Sequence, residues 1–206
     1  MKMKAQIGYF PDYLYIGYFP FEVNGPSKYV FKFGEFSLLE MGEKLIPQWM
    51  NQLSAYPIYV CTIFSHHVYK FFQEDCSKNG IRITFQQNFN DEIEYRNVRI
   101  LNIVEIKNAK QFKDIMIHLV DCSSDLVLWS SNKKSFTIEK RPTKYNGKTY
   151  MLDRVIVRIS EESSVFWIDT DSISIYTISN DDKFSDFRRI CETLPSFVVP
   201  TLTTYY

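Results

Sequence analysis

The fold is decided by residues 136–157, which read FTIEKRPTKYNGKTYMLDRVIV. Asn146 and Gly147 stand between two strand-like runs, and both residue types tolerate the positive φ angles that a two-residue hairpin loop requires. A turn at this dipeptide places Tyr145 opposite Lys148 and thereby fixes the register of the two strands. This register makes four further pairs complementary: Ile138 with Val155, Phe136 with Val157, Glu139 with Arg154, and Lys140 with Asp153. Because each such pair is worth roughly 0.2–1 kcal/mol, the sequence predicts a β-hairpin over residues 134–159.

Length and composition indicate an ordinary globular protein. The chain has 206 residues, of which 45% are hydrophobic and 23% charged. A chain of this size can bury a substantial core. We expect one α+β domain over residues 1–206, with aromatic-rich strands and a helix at 1–56, an α/β segment at 57–130, and an antiparallel sheet with a helix at 131–206.

The apolar periodicity alternates between helical and strand patterns. The helical patterns lie at residues 43–53, between Ser65 and Asn79, after Asn108, and between Asn180 and Pro195. Strand patterns fill most of the remaining chain. The sequence therefore predicts a mixed or antiparallel sheet with three to four helices, in which a terminal helix closes the hairpin-rich C-terminal half.

Charge and cysteine usage restrict the partners and the compartment. The 24 basic and 24 acidic residues cancel, so the chain lacks the global positive field that drives nonspecific binding to nucleic acids or membranes. No run approaches the roughly 18 consecutive apolar residues of a membrane span, so we expect no membrane partner. The four cysteines show no C-x-x-C spacing. They predict reduced thiols and a cytoplasmic location.

Positive charge is concentrated at the tip of the predicted hairpin. Between Lys133 and Met151 the sequence has six basic residues and the single acid Glu139, whereas eight acids oppose three basic residues between Ser160 and Glu192. Aromatic residues are also frequent, both in the first 36 residues and in the uncharged tail. Such rings are favoured at interfaces, although a solvated loop and core packing would explain the same features. The predicted binding residues are Lys140, Arg141, Lys144, Tyr145, Lys148, Tyr205 and Tyr206.

One set of charged residues supports an enzymatic alternative. Asp91 precedes the triplet Glu105-Ile106-Lys107, and Glu74 lies on the helix that leads into this segment. The order resembles the restriction-endonuclease type of active site, in which an acid is followed by an acid-x-Lys on a neighbouring strand. The resemblance implies that two of the carboxylates hold Mg²⁺ or Mn²⁺ and that Lys107 orients the attacking water or stabilises the developing phosphate charge.

The sequence contains no Gly-rich phosphate loop, no G-x-S-x-G elbow and no H-E-x-x-H motif. We therefore hypothesise a non-catalytic macromolecule-binding protein without a cofactor, of the inhibitor or immunity type, whose partner is a protein. Nucleic acid is the alternative partner of the basic hairpin. A metal-dependent nuclease is the alternative function.

Overall fold

The structure is a computed structural model that describes residues 2–9, 19–34, 41–91, 99–120, 124–169 and 174–204. A main sheet of nine strands has helices on one face and a second sheet of three strands on the other. This arrangement confirms the predicted α+β class.

Both sheets contain parallel and antiparallel pairs. The strands are β1 (Met3–Tyr9), β2 (Glu22–Asn24), β3 (Tyr29–Gly34), β4 (Ile58–Ser65), β5 (Arg82–Phe89), β6 (Arg99–Ile106), β7 (Ser124–Ser130), β8 (Phe136–Tyr145), β9 (Lys148–Arg158), β10 (Ser164–Asp169), β11 (Ser174–Ser179) and β12 (Val198–Leu202). The main sheet has the order β12-β1-β3-β11-β10-β7-β4-β6-β5, and the small sheet has the order β2-β9-β8. Only the pairs β1–β12 and β2–β9 are parallel among the described strands. The main sheet takes strands from each of the three predicted segments.

The described part of the chain contains four α-helices. They are α1 (Ile46–Gln52), α2 (His66–Lys78), α3 (Ala109–Val120) and α4 (Phe187–Thr193). A π-helical turn over Met41–Leu45 precedes α1. Pro47 lies in the first turn of α1, where a missing N–H costs no hydrogen bond. No described helix has both the length and the apolar character of a membrane-crossing helix.

The helix-side core is built around aromatic rings. Trp129 on β7 stacks on Phe166 of β10 at a centroid distance of 5.4 Å, and Trp49 of α1 packs edge-on against Phe166 at 5.3 Å. The two indole N–H groups are satisfied: Trp49 donates to Thr193 Oγ1 at 3.1 Å and Trp129 to Met50 Sδ at 3.2 Å. Buried indoles with hydrogen-bond partners hold the helices in one position on the sheet.

The opposite face of the main sheet is covered by the hairpin. Phe136, Val155 and Val157 of the hairpin belong to one buried cluster with Leu101, Ile103 and Leu128 of the main sheet. The predicted register is confirmed at every pair from Phe136–Val157 to Tyr145–Lys148. Asn146 and Gly147 take φ angles of 48° and 74°, as the two-residue turn requires.

The expected terminal helix is the part of the fold prediction that is wrong. Asn180 does not start a long helix, because its side chain accepts a hydrogen bond from the Lys28 backbone N–H at 2.8 Å. A 3₁₀ turn over Asp182–Phe184 comes first, and Asp186 then caps the short α4 by accepting from Arg189 N at 2.9 Å. The last element is β12, which pairs in parallel with β1. No terminal helix therefore closes the C-terminal half.

Adjacent phenylalanines on α2 allow a test of the helix-side core. Phe72 is fully buried, with its ring 4.7 Å from that of Phe64, whereas Phe71 is 53% exposed. We expect Phe72→Ala to lower the free energy of unfolding by about 3–5 kcal/mol, because it leaves a cavity. Phe71→Ala makes the same chemical change in the same helix and should cost less than about 1 kcal/mol. Urea unfolding followed by circular dichroism measures both, and equal losses would contradict the position of α2.

Candidate binding site on a basic β-arm

The distal part of the hairpin extends beyond the residues that pack on the main sheet. On its inner face, the apolar side chains that contact the sheet end at Ile138 on β8 and at Val155 on β9. Most residues from 140 to 151 are exposed, and these residues are named the β-arm. Since an antiparallel strand advances about 3.4 Å per residue, the β-arm is about 17 Å long.

The β-arm carries positive charge without any acid. It contains Lys140, Arg141, Lys144 and Lys148. The three lysines are exposed, and none of them belongs to an ion pair within the described part of the chain. Three of the predicted binding residues thus present their charge to solvent.

Arg141 differs from the lysines because acids surround it at the root of the β-arm. Its Nη2 lies 2.9 Å from Glu139 Oε2, and its Nε lies 3.3 Å from Glu22 Oε2, an ion pair without hydrogen-bond alignment. Glu139 also faces Arg158, at 3.5 Å. The side chain of Arg141 is 42% exposed, so each pair contributes only about 0–1 kcal/mol. Because Glu139 and Glu22 neutralise its charge, Arg141 offers less positive charge to a partner than the lysines do.

The two faces of the β-arm differ in chemistry because side chains alternate along each strand. One face carries Lys140, Pro142, Lys144, Thr149 and Met151, and the other carries Arg141, Thr143, Tyr145, Lys148 and Tyr150. Tyr145 is 39% exposed and Met151 is 52% exposed. Each face therefore combines exposed cations with an exposed large side chain.

Hydrogen bonds attach the root of the β-arm to the end of β5. The Asp153 backbone N–H donates to Asn90 O at 2.6 Å, and the Asn90 N–H donates to Asp153 Oδ2 at 2.8 Å. Arg154 Nη1 donates to Asp91 O at 3.1 Å. The root is therefore held by one hydrogen bond between backbone groups and by two between a side chain and the backbone.

Asp91 itself takes part in a nearly buried ion-pair network. Arg99 Nη1 donates to both carboxylate oxygens of Asp91, at 2.6 and 2.7 Å, and Arg99 Nε donates to Asp125 at 2.9 Å. The side chains of Arg99 and Asp91 are only 15% and 20% exposed. Charge-assisted hydrogen bonds of this length are strong, and they fix the start of β6 against the start of β7.

The four residues of the nuclease hypothesis do not come together. Asp91 is bound to Arg99 at the start of β6, whereas Glu105 lies six residues further along the same strand, about 20 Å away. Glu105 lies on the same face of β6 as Leu101 and Ile103 of the hairpin-side cluster, whereas Glu74 is on α2, which packs on the helix side. Lys107 follows β6 and is exposed. Within the described residues no three potential metal ligands cluster.

The aromatic N-terminal segment and the tail are described only in part. Tyr9, Phe19, Phe21, Tyr29, Phe31 and Phe33 are buried or half-buried within this chain. Residues 10–18 and the predicted binding residues Tyr205 and Tyr206 lie outside the described part of the chain. Residues 198–202 form β12 at an edge of the main sheet, so truncation after Pro195 would remove a structural strand.

Two polar clefts of about 570 Å³ each share the segment Asp181–Lys183. Their charges largely satisfy one another. Lys183 lies 3.6 Å from Asp181, and Asp182 accepts from the Tyr29 hydroxyl at 2.9 Å. Such internal pairing leaves little charge for an external ligand.

Comparisons with known proteins identify no relative. No protein-family model, no curated protein and no solved structure matches this chain. The function therefore has to be inferred from the geometry of the chain itself.

The network around Arg99 predicts a structural role for Asp91. Asp91→Ala should lower the free energy of unfolding by about 1.5–3 kcal/mol, because Arg99 loses two charge-assisted hydrogen bonds in a poorly solvated place. The matched control is Asp114→Ala, which breaks an exposed i,i+4 pair with Lys110 and should cost about 0.5 kcal/mol or less. Urea denaturation measures both. If Asp91→Ala were as stable as Asp114→Ala, the network would not be as described.

Burial predicts unreactive thiols at two cysteines. Burial raises the pKa of Cys61 and of Cys76 to about 12. Since the thiolate is the nucleophile, neither should react with iodoacetamide at pH 8 in the folded protein. Cys191 is half-buried and should react faster than either. Peptide mapping by mass spectrometry, with a urea-unfolded sample as the control, measures this. Alkylation of Cys61 in the folded protein would contradict the packing of β4.

Proposed function

We propose that this protein is a non-catalytic macromolecule-binding protein and that its β-arm contacts a protein partner. The observation that carries the proposal is an exposed, acid-free two-stranded arm whose root is held by backbone hydrogen bonds. A surface that is already ordered loses little conformational entropy on binding, so its contacts contribute more fully to affinity.

Exposed apolar groups support a binding role over a purely solubilising one. Lysines alone would keep a loop soluble and would protect a strand edge. The β-arm also exposes Tyr145 and Met151, although water solvates neither well. Tyrosine, methionine and arginine are enriched in protein interfaces. Each face of the β-arm therefore offers a partner one exposed large side chain beside basic residues.

Charge considerations favour a protein over nucleic acid. The whole chain has no net charge, because acids such as those between Ser160 and Glu192 balance the positive charge of the β-arm. The three lysines of the β-arm would neutralise only about three phosphates, which is a small electrostatic contribution to nucleic-acid binding. The few cations of the β-arm are sufficient for electrostatic complementarity with an acidic surface on a protein.

The proposal includes occlusion of the partner. Two paired strands are about 5 Å apart, so the β-arm is narrow enough to enter a cleft on another protein. Insertion of such an arm would block that cleft, which is how an inhibitor or immunity-type protein acts. The separated positions of Asp91 and Glu105 give no support to the nuclease alternative.

Charge reversal tests this proposal. The double variant Lys144→Glu/Lys148→Glu should weaken binding of the partner, isolated by affinity purification, by about tenfold or more, because each reversed charge meets an acidic surface. Isothermal titration calorimetry at two salt concentrations gives the affinity. The matched control is Lys70→Glu/Lys113→Glu, which makes the same change in net charge on exposed helix positions and should bind like the unmodified protein.

Equal affinities of the two double variants would contradict a contact through the β-arm. Nucleic acid in place of a protein partner would appear as a linear fall of log affinity with log salt, with a slope of about −0.9 per phosphate contacted.

A further inference from the structure

A groove runs beside β8 at the root of the β-arm. Phe85 of β5, Ile103 of β6 and the hairpin residues Phe136 and Ile138 supply its apolar lining, and its volume is about 510 Å³. Phe85 is 39% exposed. Thr84, Gln87, Lys133 and Thr137 complete the lining. A space of this size that is open to solvent suits one or two apolar side chains of a ligand, placed beside polar groups.

Within the described part of the chain, the outward backbone groups of β8 beside this groove have no strand to pair with. In a two-residue hairpin the residues that flank the turn, Tyr145 and Lys148, form a hydrogen-bonded pair, and every second residue of β8 from there points its N–H and C=O at β9. The N–H groups of Ile138 and Lys140 therefore point away from β9. No described strand lies on that side of β8, because β8 is an edge of the small sheet.

Two observations on β9 support this assignment. The Asp153 N–H donates to Asn90 O and the Ile159 N–H donates to Asn24 O, so the odd-numbered residues of β9 direct their N–H groups away from β8. Its even-numbered residues consequently form the hydrogen bonds to β8, and their partners are the odd-numbered residues of β8. The backbone groups that point outward from the open edge of β8 are thus those of its even-numbered residues.

Pro142 marks the end of this open edge. It is even-numbered, so its ring stands where an outward N–H would otherwise be, and a proline there breaks no bond to β9. The edge available to a ligand therefore covers residues 136–140, of which Phe136, Thr137 and Ile138 line the groove.

The neighbouring edge strand is a poorer template. β5 is an edge of the main sheet and also borders the groove, but its pairing with β6 shifts register between Ile83 and Phe85. A bulge of this kind bends the strand and interrupts the regular spacing of its outer hydrogen-bonding groups. The regular edge of β8 is therefore the better place for a strand to be added.

The polar lining of the groove indicates the chemistry of the ligand. Thr137 lines the groove, and its buried Oγ1 has no hydrogen-bond partner among the described residues. Lys133 and Lys134 are exposed at one end of β8, and Lys140 and Lys144 are exposed towards the other end. A basic rim on both ends of an apolar groove is complementary to acidic residues that flank apolar ones.

We propose that the outer edge of β8 binds an extended segment of another protein as an additional strand. Alternate side chains of this segment are apolar and enter the groove, while acidic side chains near its two ends meet the lysines. Backbone hydrogen bonds to Ile138 and Lys140 supply affinity, and the groove supplies specificity, as in other cases of strand addition. This inference rests on the proposed function and assigns a chemistry to the partner.

Amide hydrogen exchange provides the direct test. The probes are synthetic peptides of about ten residues in which glutamate alternates with valine, leucine or phenylalanine. At a saturating peptide concentration, the exchange rates of the amide protons of Ile138 and Lys140 should fall by about tenfold or more. Those of Thr137 and Glu139 already bond to β9 and should not change. Protection of both sets, or of neither, would overturn strand addition.

A proline substitution separates the backbone contribution from the charge. Lys140→Pro removes the outward N–H together with the charge, whereas Lys140→Thr removes only the charge. If a strand is added, Lys140→Pro should bind the peptide about tenfold more weakly than Lys140→Thr in fluorescence anisotropy. Pro142→Thr restores an outward N–H and should strengthen binding. Unfolding curves for each variant confirm that the hairpin is intact.

The outcomes distinguish this inference from the proposed function. Equal affinity of Lys140→Pro and Lys140→Thr, or no anisotropy change with any peptide, would overturn strand addition. The proposed function would still stand if Lys144→Glu/Lys148→Glu weakened binding of the isolated partner. If that variant bound the partner normally, the proposed function would fail as well. A labelled RNA or DNA oligomer that bound instead of the peptides would assign the β-arm to nucleic acid.

Discussion

Burial of both faces of the nine-stranded sheet is the constraint on which the rest of the structure depends. Its central strands carry apolar side chains in both directions, so each face needs a cover. Helices cover one face, and the inner face of the hairpin covers the other. Since each fully buried valine or phenylalanine contributes about 1.5–3 kcal/mol, Phe136, Val155 and Val157 hold β8 and β9 firmly in place. The β-arm is the continuation of these two strands, and the packing of its root fixes where it leaves the main sheet.

The sheet edges differ in how readily another strand could pair with them. On β12, the bonds Met3 N–H to Phe197 O and Thr203 N–H to Ile7 O show that odd-numbered residues face β1, so Pro200 places its ring on the outer edge. A proline there blocks the addition of another strand. On β5 a bulge has a similar effect. β8 is blocked only at Pro142 and stays regular beside the groove. An edge that is protected at its tip and open at its root is consistent with a specific use of the root.

The sequence allowed correct inference wherever the deciding contacts are local. The hairpin register follows from Asn146-Gly147 and from pairs whose members are separated by 13 to 21 residues in the sequence. The pairing of β12 with β1 joins opposite ends of the chain, and no local pattern indicates it. Asp91 looked like a catalytic acid because the sequence does not show that Arg99 binds both of its oxygens. The basic tip was predicted, whereas the groove was not, because β5 and β8 meet only in the folded chain.

The two candidate contact surfaces act over different distances, and this difference suggests how they cooperate. Exposed lysines of the β-arm attract an acidic partner over about one Debye length, roughly 8 Å at physiological salt, but exposed ion pairs contribute little once formed. The edge of β8 acts only at hydrogen-bond distance, yet it offers directional bonds and an apolar space. Lys140 and Lys144 lie on the same strand as this edge, two and six residues after Ile138. Charge would therefore orient an approaching segment along β8, and backbone pairing at Ile138 and Lys140 would then decide whether it stays.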